Sequence, residues 1–83
     1  MNGNRKGKRE MTKEARYLDY PNGDKKVVCL EVLAAAFGGW RCDVWESLRN
    51  QTGRELAFRV YRFEDPETAR AKFAELGAGM KVA

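Results

Sequence analysis

The chain has 83 residues, 43% hydrophobic and 34% charged, enough for one small domain with a limited core. It contains no histidine, which removes Ser-His and Cys-His nucleophile pairs, histidine metal ligands and the usual general base near neutral pH. The formal net charge of +4 comes entirely from residues 1–16, with six basic and two acidic side chains; the remainder is balanced, so any argument from basicity is an argument about that stretch alone.

Residues 1–13 are polar, rich in glycine, lysine and arginine, and without periodicity. Such a stretch buries too little surface to offset its ordering entropy and is expected to be a disordered basic tail ahead of a single domain over 14–83. Arg5, Lys6, Lys8 and Arg9 are its candidate contacts to phosphate or to an acidic partner. The N-terminus lacks the apolar segment of a secretory signal. No apolar run approaches the ~18 residues of a membrane span. The expectation is a cytoplasmic protein with no membrane partner.

Ala15 to Tyr20 is a short candidate strand, followed by Pro21-Asn22-Gly23-Asp24, a strong turn signal. In Lys25 to Phe37, Val27, Val28, Leu30, Val32 and Leu33 favour a strand. The run Ala34-Ala35-Ala36 leaves a helix capped at Gly38 as the alternative. Gly38-Gly39 suits a two-residue hairpin turn, in which Phe37 faces Trp40, Ala35 faces Cys42 and Leu33 faces Val44. Cys29 then falls near Leu48, ~20 Å from Cys42 along the strands, too far for a disulfide. Both cysteines read as small core residues.

Trp40 to Leu48 and Glu55 to Phe63 alternate with period two, the mark of half-buried strands. A five-residue loop or a bulge between them aligns Val44 with Phe58. Asp65-Pro66-Glu67 opens a helix, with a side-chain cap, proline at its first position and an acid at the positive end of its dipole. Ala69, Phe73 and Leu76 form its apolar stripe and Gly77 its stop. The predicted fold is α+β: a small antiparallel meander of three to four strands with one C-terminal helix packed on one face. Its core holds Leu33, Phe37, Trp40, Val44, Leu56, Phe58 and Val60 beneath Phe73 and Leu76.

The run FEDPETARAKFAEL resembles the strand-to-helix ending of WGR domains, small sheet-plus-helix modules associated with nucleic acid. It covers about a sixth of the chain, and the Trp-Gly-Arg triplet itself is absent.

No catalytic set assembles. Ser47 is the one serine and has no lysine two or three positions away, and two cysteines without histidine cannot complete a zinc site. Glu31 and Glu46, opposite each other in this hairpin, read as solvated edge charges. No enzymatic activity, cofactor or metal is expected. The face away from the helix is where function is expected, at Arg41, Trp45, Arg59 and Tyr61, residue types enriched at binding hot spots. The reading is a small binding protein that docks this face on another protein or a second copy of itself. Its size and lack of catalytic groups match inhibitors and adaptors of the kind encoded by bacterial phages and mobile elements, anti-defence (anti-CRISPR) proteins among them. The alternative is a single-stranded nucleic-acid module that stacks bases on Trp45 and Tyr61 and holds phosphates with the tail.

Overall fold

The structure, a computed structural model, describes residues 11–83. Four long strands form: β1 (Met11–Asp19), β2 (Lys25–Ala34), and the two alternating segments β3 (Trp40–Arg49) and β4 (Glu55–Phe63). Helix α1 (Pro66–Leu76) follows, and a two-residue strand β5 (Lys81–Val82) returns alongside β1. All pairings are antiparallel and the sheet order is β4-β3-β2-β1-β5. The fold is thus the expected α+β meander, with a fifth strand drawn from the C-terminal residues.

The sheet begins earlier than composition suggests. Met11, Thr12 and Lys13 lie in β1, opposite Leu33, Val32 and Glu31. A partner strand of full length offers their backbone groups a ladder, which outweighs their polar character. The remainder of the basic tail, including Arg5, Lys6, Lys8 and Arg9, lies outside the described residues. The segment 25–37 resolves as strand through Ala34.

The turns explain the pairing. Tyr20 and Asp24 close the first hairpin at 2.9 Å, with Gly23 at φ 95°. The second connection is a five-residue loop, Ala35–Gly39, and not the expected two-residue turn. Ala35 N–H donates to the Gly39 carbonyl at 3.0 Å, and Gly38 and Gly39 both take positive φ, 96° and 81°. This loop pairs Ala34 with Trp40, Val32 with Cys42 and Leu30 with Val44. The shift from the expected register is three residues, an odd number, so every facing assignment between the two strands inverts. Phe37, expected in the core, sits fully exposed at the loop tip. In the third connection, the Asn50 side chain accepts from the amides of Thr52 and Arg54 at 3.0 and 2.9 Å. A bulge beside Leu48 and Arg49 leaves Leu56 unpaired. Val44 meets Tyr61, not Phe58.

The core therefore differs from the one expected. Val28, Leu30, Val32, Cys42 and Val44 lie under Ala69 and Phe73, with Tyr61, Phe63, Leu76 and Met80 packed around them. Asp65 caps the helix as expected, accepting from the Thr68 amide at 2.8 Å and the Thr68 hydroxyl at 2.7 Å. Those bonds hold its carboxyl below the usual range. At the other end Gly77 N–H donates to Phe73 O at 2.8 Å, and a Cβ on Gly77 would approach that oxygen to 3.1 Å. An 11-residue helix spans only ~16 Å, about half of a ten-residue strand at ~34 Å. Among the described residues, no helix is long and apolar enough to cross a membrane.

Candidate functional site on the open face of the sheet

Helix α1 lies on one face of the sheet, against β2, β3 and β4. The opposite face carries the alternate residues of every strand, and no described element covers it. The pairing registers arrange these residues in rows across β1, β2, β3 and β4. Two adjacent rows are mostly apolar: Ala15–Cys29–Trp45–Val60 and Tyr17–Val27–Ser47–Phe58. The Trp45 and Phe58 rings lie 5.8 Å apart with a 35° tilt, a favourable diagonal pair. Phe58 and Val60 are 54% and 42% exposed, and neighbouring Leu56 is 51% exposed.

A charged row closes each end of this band. One runs Lys13–Glu31–Asp43–Arg62 and the other Asp19–Lys25–Arg49–Glu55. Lys13 meets Glu31 at 3.4 Å, Arg62 meets Asp43 at 3.3 Å, and Lys25 meets Asp19 at 4.0 Å. Ser47 links Arg49 and Glu55: its hydroxyl donates to Glu55 at 3.0 Å and accepts from Arg49 at 3.4 Å. The flanking rows hold four positive and four negative side chains and balance to zero. Lys25 and Lys81 also approach the Tyr17 ring, at 5.2 and 6.0 Å from its centroid. Arg41 is exposed beyond the first row, opposite Leu33.

The four residues expected to share a binding face are divided between two. Trp45 and Arg41 stand on the open face. Arg59 and Tyr61 stand on the helix side, because the third hairpin places Glu46 opposite Arg59 and Val44 opposite Tyr61. There the Tyr61 hydroxyl donates to Glu46 at 3.0 Å, and Lys26 meets the same carboxylate at 3.1 Å. Burial alone would raise the Glu46 carboxyl, but hydrogen bonds from Lys26 and Tyr61 with the charges of Lys26 and Arg59 leave it below its ordinary value. Hydrogen bonding to Tyr61 (3.5 Å) and the nearby Glu46 charge raise the Arg59 guanidinium further. Lys72 lies 4.7 Å above the Tyr61 ring, so that face is occupied. Trp45 and Tyr61 thus form no common platform for stacked bases. Glu46 itself faces Val28, and Glu31 faces Asp43, so the Glu31–Glu46 pairing expected from the sequence does not form.

Phe58, Val60 and Leu56, expected beneath the helix, lie instead on the open face with Trp45 and Val27. Cross-strand charge was the signal that could have placed them. Only the observed registers put Lys13 opposite Glu31 and Asp43 opposite Arg62 at once. The two free cysteines lie on opposite faces, Cys29 in the open band and Cys42 under the helix. Burial raises both thiols above their ordinary value, countered at Cys29 by Lys13 and reinforced at Cys42 by Asp65. Comparison of the chain with protein-family models, with curated proteins and with solved structures finds no match.

Proposed function

We propose that the protein is a non-catalytic binding module, of the inhibitor or adaptor kind, that docks a protein surface through its open sheet face. One observation carries this reading: an aromatic and aliphatic band around Trp45, Phe58 and Val60, bounded at each end by a charged row of two positive and two negative side chains. An apolar centre with a polar rim is the anatomy of a protein interface, and exposed apolar patches on this pattern mark interaction sites. A phosphate backbone calls instead for an excess of positive charge, which the two rows do not supply.

The test uses the full chain as bait in cells of its native host, wild type against a Trp45→Ala/Phe58→Ala pair, with a differently tagged second copy included among the possible partners. A partner retained by wild type and lost by the variant, with unchanged circular dichroism and melting, is the expected result. Recovery of the same partners by both overturns the assignment of the open face.

A further inference from the structure

We propose that the open face is closed by a second copy of the same chain, packed face to face about a two-fold axis that runs across the strands. The inference rests on the docking reading above and names its occupant. Its starting point is a conflict inside the single chain. Between the central strands β2 and β3, Glu31 lies directly opposite Asp43, and Lys25 directly opposite Arg49. Like charges in direct cross-strand register are destabilising. Each has an outer neighbour of opposite sign, Lys13, Arg62 and Asp19 among them, but the two central pairs remain like against like.

The order of signs resolves the conflict between two molecules. From β1 to β4 one row reads plus, minus, minus, plus, and the other minus, plus, plus, minus. A two-fold axis across the strands lays each row over the other row of the second copy and keeps the strand order. Every column then joins opposite charges: Glu31 and Asp43 meet Lys25 and Arg49 of the second copy, and Lys13 and Arg62 meet its Asp19 and Glu55. An axis along the strands instead lays each row over itself in reverse, and every column joins like charges. The pattern selects one arrangement and repels the other.

The apolar rows fit the same axis by size. Ala15 comes over Tyr17 and Trp45 over Ser47, small against large in both cases, while Cys29 meets Val27 and Val60 meets Phe58. The product is two aligned sheets ~10 Å apart, with helices on the outer faces. Sheet twist displaces the outer columns most and the central β2 and β3 columns least. Four strands at ~4.8 Å and nine residues at ~3.4 Å outline a patch of about 600 Å² before side-chain relief. A standard interface uses about 800 Å² per partner. The pair is therefore at the small end of stable interfaces and its formation depends on concentration.

The test is sedimentation of the full chain over roughly a thousandfold range of concentration. Wild type is expected to pass from monomer to dimer. Lys25→Glu/Arg49→Glu makes both central pairs acidic, and Glu31→Lys/Asp43→Lys makes both basic. Each variant alone is expected to weaken self-association by about tenfold or more, since like charges then meet across the interface. Mixed in equal amounts, the two variants are expected to pair with each other, because every central column is again opposite in sign. Their circular dichroism and melting report whether each remains folded, and the mixed pairing can arise only from folded chains. Wild type that stays monomeric throughout, or a dimer untouched by either variant, overturns the second-copy proposal. A dimer of the latter kind would use another surface, such as the free edge of β4. The docking reading is tested separately: if wild type is monomeric yet loses a captured partner on Trp45→Ala/Phe58→Ala, the face docks a different protein and only the second-copy inference fails.

Discussion

Leu30 and Phe58 are both large apolar residues on strands, and the sheet treats them oppositely. Leu30 has no exposure and sits among Val28, Val44 and Phe73; Phe58 is 54% exposed and touches Trp45. Truncating a fully buried leucine loses its transfer free energy and leaves a cavity, at about 2–5 kcal/mol. Leu30→Ala is expected to destabilise the fold by that amount in urea titrations. At concentrations below those at which copies pair, Phe58→Ala forfeits one aromatic pair, about 1 kcal/mol, and is expected to lower stability no further. A large loss on Phe58→Ala would mean that the open face belongs to the core of the monomer. Phe37, fully exposed at its loop tip, makes the same point from the other side: apolar character alone did not assign a residue to the interior.

At the scale of elements, the helix, the existence of the strands and the two faces of β3 were legible, and the faces of β2 and β4 were not. The reason is parity. β4 carries Leu56, Phe58 and Val60 on one side and Ala57, Tyr61 and Phe63 on the other, so alternation marks a strand without saying which side is covered. The decision passes to the connections. A loop of five residues in place of two, and a bulge that strands Leu56, move the registers by odd steps and turn β2 and β4 over relative to β3, which keeps its expected faces. Nothing of that kind disturbs the helix, whose cap, proline and apolar stripe are local signals. Of the four site residues expected, Trp45 and Arg41 reach the open face, while Arg59 and Tyr61 follow the inverted strand. The helix cap also yields a pH dependence. The Asp65 carboxyl is held below its ordinary value by its bonds from Thr68. A lowered folded-state value contributes stability that is fully present above the unfolded value and is lost as pH falls through the folded one. Melting temperature is expected to fall with acidification across that window, and Asp65→Asn is expected to flatten that part of the profile. An unchanged profile would exclude the cap as a source of acid sensitivity.

For the whole molecule, the governing feature is that one helix covers a sheet twice its length on one side only. The buried half of the fold is built by hydrophobic contact, and the other half is a patterned surface. The overall excess of positive charge belongs to residues 1–16, whereas the rows that flank the open band are balanced. In the proposed pairing, recognition would reside in an order of signs and not in any one charged side chain. The order has a mirror. A duplicate copy in which all eight signs are inverted still lays each row over its opposite, and it keeps its cross-strand pairs as well. Laid against the parent, it meets like charge in every column. Native mass spectrometry of the two versions mixed in equal amounts is expected to give two kinds of homodimer without the mixed species, and a statistical mixture would show that the rows carry no identity. In the proposed pairing the rows would therefore carry the identity of the partner: inverting their eight signs is expected to separate a duplicated copy from its parent without altering the fold of either.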